Sequence, residues 1–269
     1  MIQLLKLGGS LITDKANAKT PRRETLSRIA LEIAAYRRCA GADGRLILGH
    51  GSGSFGHIPA KKYQTRSGVR SAEAWRGFAE VHSEATALNR LVLDALREAG
   101  LPVLSFTAMD GIRCVGGRIA EWDLTPLIRA LDNGLIPLVF GDTAFDSVRG
   151  GTIVSTEELF GAILERLPEP SRVLLAGIED GIYSDFPIRE KPIRAVSLPL
   201  NQDYKLQYVK ESIYPDVTGG MKSKIDVVAG FLRDGTAKEA LIFSGDKPGA
   251  IERALSGERI GTVITAARD

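Results

Sequence analysis

Three stretches of this 269-residue chain join glycine to cations or hydroxyls in a way that suits phosphate chemistry. The first is Lys6-Leu7-Gly8-Gly9-Ser10, where a lysine stands between Leu5 and Leu7. A lysine in an apolar run is costly unless its ammonium escapes to a polar site, and the glycines after it let backbone N–H groups approach a ligand. The second is His50-Gly51-Ser52-Gly53-Ser54-Phe55-Gly56-His57, which can present several N–H groups as a concave cradle for an anion. The third is Thr218-Gly219-Gly220-Met221-Lys222, a glycine turn passing into a helix, where an ammonium near the positive helix end suits a polyphosphate. Lys15 is a further cation. Each has a plainer reading as well: Gly8 and Gly9 as a simple turn, Lys15 and Lys222 as solvated lysines, His50 as a hydrogen-bond partner of a neighbouring loop.

Gly51-x-Gly53-x-x-Gly56 has the form of a dinucleotide fingerprint, but histidines flank it and the first downstream acid near the required spacing is Glu73; no Gly-Lys-Ser or Gly-Lys-Thr marks a P-loop. His57 is expected to point from the first turn of the following helix toward a bound anion. His82 lies among core-like helix residues and reads as packing or as a wall of the substrate site. Cys39 and Cys114 have no paired metal-ligand spacing, and no metal site is assigned.

The elements that must position these residues follow from periodicity. Apolar runs at 2–7, 46–48, 102–106, 135–140, 173–176, 240–243 and 261–264 read as strands; spacing of three or four residues predicts helices over 22–38, 71–98, about 123–132 and 218–234. The 71–98 helix is either continuous or bent at Gly77. A hairpin is expected between Phe145 and Val154, with Ser155 and Glu158 forming a capping box. Strands alternating with helices predict an α/β fold, a three-layer αβα sandwich with a largely parallel central sheet. The glycine loops and the Gly141-Asp142 turn then converge at the carboxyl edge of that sheet.

Composition narrows the partners. Lys and Arg number 35 against 33 Asp and Glu, a net +2 with both signs interspersed, which disfavours nucleic acid. Two cysteines and no basic leader before an apolar run predict a reducing, cytoplasmic setting without stable membrane association. At this length the core forms one body or two closely packed lobes, dividing near residue 170.

Taken together, these motifs resemble the amino acid kinase superfamily, and within it the isopentenyl phosphate kinases. The resemblance spans nearly the whole chain and is carried by Lys6-Leu7-Gly8-Gly9-Ser10 with Ile12-Thr13-Asp14-Lys15, by Ser54-Phe55-Gly56-His57, by Gly141-Asp142 with Phe145-Asp146, and by Asp216-Val217-Thr218-Gly219-Gly220-Met221-Lys222. The Ser-Phe-Gly-His run is the narrowest of them, shared chiefly with isopentenyl phosphate kinases and a fosfomycin kinase branch. Three departures stand out: Ser52 at a usual glycine, Gly177-Ile178-Glu179 before Asp180, and Ser155-Thr156-Glu157-Glu158 for the commoner Ser-Gly-Asp-Asp.

The resemblance implies a homodimer in which residues 1–170 hold the phosphate acceptor and residues 171–269 hold ATP with Mg²⁺. It makes Lys6, Lys15 and Lys222 phosphate contacts, Gly8, Gly9 and Ser10 the loop around the transferred group, and Asp142 the acid that organises the lysines. Gly219 and Gly220 accompany Lys222, and Asp180, Gly181 and Tyr183 lead toward the nucleotide. The acceptor phosphate falls to Gly51, Ser52, Gly53, Ser54, Gly56, Gly141 and His57, with His82 and Phe78, beside Trp75 and Val81, walling an isoprenoid tail. The implied reaction is ATP-dependent phosphorylation of isopentenyl phosphate to the diphosphate. A phosphonate kinase, an amino acid carboxylate kinase and a nucleotide-sensing module without turnover are the alternatives.

Overall fold

The long apolar runs become strands because both of their faces are covered. The computed structural model describes residues 1–169, 171–185, 188–198 and 220–267, apart from the side chains of residues 42 and 220–224. In chain order the elements are β1 (Gln3–Leu7), α1 (Gly9–Ile12), α2 (Arg23–Ala40), β2 (Leu46–His50), α3 (Gly53–Tyr63), α4 (Ala72–Glu98), β3 (Val103–Phe106), β4 (Ile112–Val115), β5 (Arg118–Trp122), α5 (Thr125–Asp132), β6 (Ile136–Phe140), β7 (Asp142–Asp146), β8 (Gly150–Val154), α6 (Thr156–Leu164) and β9 (Ser171–Gly177). There follow β10 (Ile182–Tyr183), β11 (Pro192–Ile193), β12 (Ala195–Leu198), α7 (Gly220–Arg233), β13 (Ala237–Ser244), α8 (Ala250–Leu255) and β14 (Thr262–Ala266).

The main sheet has the order β12-β14-β13-β9-β1-β2-β6-β3, and only the β13–β14 pair is antiparallel. Successive strand residues point to opposite faces. Leu4, Ile47, Val139 and Val173 pack with Leu127 of α5, Phe160 of α6 and Ile225 of α7, whereas Leu5, Leu48, Leu138 and Leu174 pack with Ile33 of α2, Val92 of α4 and Ile251 of α8. This is the three-layer αβα sandwich expected from the sequence. No helix among the described residues is long and apolar enough to cross a membrane.

β1 pairs with β2 on one side and β9 on the other, both in parallel, so the chain leaves it in two directions. Such a switch point opens a crevice at the carboxyl edge. At that edge β1, β2, β6, β9 and β13 run out at Gly8, Gly51, Gly141, Gly177 and Gly245. In the main sheet the strands that precede residue 170 in the chain, β1, β2, β6 and β3, lie on one side of the β1–β9 pairing and the later strands on the other.

Local differences from the sequence reading have identifiable causes. α4 runs unbroken through Gly77, capped by the Ser71 hydroxyl, which accepts from the Ala74 N–H at 3.1 Å. Gly77 is needed for packing: a Cβ there would lie 2.1 Å from Cγ of Tyr63, at the end of α3. α3 begins at Gly53, so most of the glycine-rich stretch is helix and His57 sits in its second turn, one turn later than anticipated. The unanticipated β4–β5 hairpin alternates buried Ile112 and Cys114 with exposed Arg113 and Val115, a half-covered pattern with a weak apolar signal. It joins the anticipated β7–β8 hairpin in a second sheet, β5-β4-β7-β8, which packs on α4 through β7.

One carboxylate ties the two hairpins together. Buried Asp146 accepts from the N–H groups of Gly116 (3.1 Å), Gly117 (2.5 Å), Val148 (2.9 Å) and Arg149 (2.7 Å). Burial by itself pushes this carboxyl up, but the four donors outweigh it and hold it below its ordinary value. Asp146→Asn is expected to cost about 2–3 kcal/mol in urea unfolding at neutral pH, because an amide cannot accept all four bonds. The depressed folded-state value means that this stability is present above the unfolded pKa of roughly 3.9 and is lost as pH falls through the folded value. The gap between wild type and the Asn variant should therefore narrow in unfolding curves recorded below about pH 4; a gap independent of pH would contradict the charged-acceptor account.

Candidate active site

Lys6 leaves β1 between fully buried Leu5 and Leu7, and its ammonium pairs with Glu157 in the first turn of α6. That turn is fixed by its cap. The Ser155 N–H donates to Glu158 Oε2 at 2.6 Å, the Glu158 N–H donates to Ser155 Oγ at 3.2 Å, and Arg66 Nη2 donates to Glu158 Oε1 at 3.0 Å. Glu157, next along, is thereby aimed at Lys6.

Asp142, implied as the organiser of the lysines, sits at the start of β7, and the Lys222 side chain lies outside the described residues. The partners of Asp142 are the Thr143 N–H at 2.7 Å and His82 Nδ1 at 2.9 Å, because β7 packs on α4 and turns this side chain toward that helix. The acid on Lys6 is Glu157. Burial pushes the Asp142 carboxyl up, against the opposing bonds from His82 and Thr143, while the hydrogen bond to Asp142 raises His82 above its usual value.

The two glycine-rich turns interlock. A Cβ on Gly9 would lie 2.6 Å from Gly53 Cα, and one on Gly53 would lie 2.3 Å from Thr13 Oγ1; Gly53 also has φ +49°. No other residue fits at either position. Ser52, by contrast, has φ −74°, so the departure from glycine there carries no backbone strain. Gly8 donates its N–H to the Ala176 carbonyl at 2.8 Å, fixing the turn to β9. The N–H groups of Gly9, Ser10, Ser52 and Gly53 find no acceptor among the described residues, and they lie on the two sides of the Gly9–Gly53 contact.

Ser54 is committed elsewhere. Its N–H donates to Thr13 Oγ1 at 3.0 Å, its carbonyl accepts from Lys19 N at 3.3 Å, and its hydroxyl accepts from Thr20 N at 3.4 Å. These bonds hold down the 14–20 segment that carries exposed Lys15, and Lys19 pairs with Glu84 of α4 at 2.5 Å. Gly56 clears the Ser52 side chain, which a Cβ would approach to 2.7 Å, and Gly141 donates to the His50 carbonyl at 3.3 Å.

The histidines divide by environment. His50 is wholly buried, stacked on Phe140 with centroids 5.4 Å apart, and bonded to the Asn89 side chain at 3.1 Å; burial pushes its pKa down, as suits a packing residue. His57 lies at the surface of α3 with Nδ1 2.6 Å from the Gly53 carbonyl. A carbonyl only accepts, so Nδ1 carries a proton and fixes the ring. Beyond His82, Phe78 meets Trp75 edge-on at 5.2 Å and Phe145 at 5.4 Å; Phe78 is buried, while Trp75 and Phe145 remain 39% and 54% exposed.

At the far side of β1, Asp180 pairs with Lys247 at 2.7 Å, and its N–H donates to the Tyr183 hydroxyl at 3.3 Å. Gly181 fits under Thr262, whose Oγ1 a Cβ would approach to 2.4 Å. Gly220 opens α7; Gly219 and the Lys222 side chain lie outside the described residues. Sequence reasoning missed Thr13, Arg66 and Lys247 and passed over Glu157 as a partner for Lys6. The capping box at 155–158 was the one local signal pointing toward that last contact.

The model of the amino acid kinase family matches residues 1–244. An isopentenyl phosphate kinase of Methanothermobacter thermautotrophicus is 35% identical, covering 97% of this chain and 98% of that protein, and one of Methanocaldococcus jannaschii is 32% identical, covering 98% of each. An X-ray structure of isopentenyl phosphate kinase aligns with a TM-score of 0.80 at 31% identity, over 98% of this chain and all of that one. Likeness of sequence and of structure along the full length of both partners makes this chain a member of the amino acid kinase family and, within it, of the isopentenyl phosphate kinase family.

Proposed function

We propose that this chain transfers the γ-phosphoryl group of ATP to the phosphate of isopentenyl phosphate, giving isopentenyl diphosphate and ADP. The observation that carries this reading is the contact of two anion-suited turns at Gly9 and Gly53, with Lys6 at the foot of one and His57 one turn up the other. The function of the similar archaeal enzymes supports the same acceptor.

A phosphate monoester is already ionised near neutral pH, so no strong base is needed, and positioning with charge neutralisation is the task. In this reading Gly9 and Ser10 donate to oxygens of the transferring group, and Lys6, held by Glu157, offsets its charge together with Lys15. Lys222, Gly219 and Gly220 serve the nucleotide phosphates, beside Asp180, Gly181 and Tyr183. Ser52 and Gly53 present N–H groups to the acceptor. Because the acceptor oxygen is already ionised, His57 is read as a hydrogen-bond donor to it and not as a general base. Mg²⁺ entering with ATP would supply further charge neutralisation for the phosphates. The aromatic group around Phe78 would wall the short tail. We place the acceptor in residues 1–170 and ATP in 171–269, in a homodimer.

ADP release measured with isopentenyl phosphate, fosfomycin and acetylglutamate should give a kcat/KM at least about tenfold higher for the first, because a hydrocarbon wall leaves polar acceptors with unpaired groups. A higher value for either competitor would replace the acceptor, and ATP binding without turnover would indicate a sensor.

Lys15→Ala and Lys222→Ala should each lower turnover by about ten- to a thousandfold, the scale of one lost transition-state donor. Circular dichroism should report an unchanged fold for both. Parental kinetics would return them to ordinary surface lysines.

For His57→Ala a severe loss of kcat is expected, with partial recovery in His57→Gln, whose amide restores a donor. Unaltered kinetics in the alanine variant would remove His57 from the mechanism.

A further inference from the structure

Thr13 is polar, 1% exposed, and wedged between the donor-side turn and the acceptor-side helix. Its hydroxyl donates to the Gly9 carbonyl at 2.7 Å and accepts from the Ser54 N–H at 3.0 Å. The Gly9 carbonyl already receives the N–H of Thr13 itself at 2.9 Å, so the hydroxyl is not required to satisfy it. The Ser54 amide is different. It belongs to the first turn of α3, where amides have no intrahelical acceptor and an N-cap side chain normally supplies one. The N-cap residue, Ser52, makes no side-chain cap bond. Thr13, from a distant point in the chain, supplies the acceptor instead, and the same oxygen ties that cap to Gly9. Its Cγ2 also fills the space behind Gly53, where a Cβ would lie 2.7 Å away.

We propose that Thr13 is a positioning residue that sets the separation of the two phosphates. It touches neither of them; its hydroxyl locks the first turn of α3 in register with the Gly9-Ser10 turn. The inference rests on the phosphoryl-transfer reading above and deepens it. Each turn is held at its foot to the neighbouring strand by another bond, Gly8 N–H to the Ala176 carbonyl of β9 at 2.8 Å and Gly51 N–H to the Leu7 carbonyl of β1 at 3.1 Å, while the tips are joined through Thr13. Losing the hydroxyl therefore leaves each phosphate's binding contacts in place and disturbs their mutual alignment, and in-line transfer is sensitive to misplacement on the order of 1 Å.

The test compares Thr13→Val, which keeps the shape and removes the hydroxyl, with Thr13→Ser, which keeps the hydroxyl. In Thr13→Val, kcat should fall about ten- to a hundredfold while KM for ATP and for acceptor stays within about threefold, and Thr13→Ser should retain kcat within about threefold of wild type. A Thr13→Val kcat within about twofold of wild type, a loss expressed in KM, or equal impairment of both variants would overturn the proposal. Amide hydrogen exchange in the unsubstituted protein decides the matter even if Thr13→Val does not fold: the Ser54 amide should exchange at least about tenfold more slowly than those of Ser52 and Gly53, and equal exchange would overturn it. Wild-type protein inactive on isopentenyl phosphate would sink the acceptor assignment alone, since the variants are then compared on the acceptor it does use and the Ser54 exchange stands independently.

Discussion

Gly9 and Gly53 bring the backbones of two glycine turns into contact, and on the proposed reading that contact lets both turns serve one reaction centre. The rest of the site follows from that contact. It requires β1 and β2 to be neighbours with aligned ends, Leu7 opposite His50, so that both turns leave the sheet at the same height. It excludes side chains at residues 9 and 53, and it requires α3 to start abruptly at a residue with positive φ. A helix started that way lacks a conventional cap, and a buried threonine from the segment after the other turn takes its place.

The second constraint is charge. On the proposed reading the centre gathers phosphates, so a carboxylate in its walls needs a partner, and two acids sit largely buried there, Glu157 and Asp142. Each is matched to a partner on another element: Glu157 to the Lys6 ammonium on β1, Asp142 to the His82 imidazole on α4. Glu157 also lies in the first turn of α6, where the helix dipole favours a negative group. Pairing of this kind fixes the geometry of the cation more than it adds stability, since burying two charges costs about as much as their attraction returns. The benefit is a lysine whose ammonium is held in one place.

Much of this was legible in the sequence because the relevant physics is local. Strands covered on both faces read as unbroken apolar runs, and that is how the strands of the sheet centre were found. The glycines marked the carboxyl edge, and Lys6 stood out against its neighbours. What was not legible depends on partners far apart in the chain. Gly77 looked like a possible bend because nothing local announces the Tyr63 ring that needs its space. The bond of Asp142 to His82 had no local signal, because it depends on how β7 lies on α4. The capping box predicted where α6 begins, but the face on which its second residue points depends on the position of β1.

The division of labour between the two sheets bears on how such a site changes acceptors. On the proposed reading the phosphate-facing groups come from the edge of the main sheet and from α1 and α3, with α6 holding Lys6 through Glu157, whereas the aromatic cluster is built from Trp75 and Phe78 of α4 and Phe145 of β7. Gly151 of β8 leaves Phe78 its place, since a Cβ there would lie 2.7 Å from the ring. On the proposed reading, tail size is then set by elements that make no phosphate contact, apart from the single link through His82 and Asp142. On that reading, substitutions in the cluster can reshape the tail wall with little effect on Gly9, Gly53 or Lys6, because the second sheet is tied to itself through Asp146 and reaches the main body through α4, α6 and the turn at residues 65–67. A fold arranged in this way can retain one phosphoryl-transfer centre while the apolar wall beside it is altered.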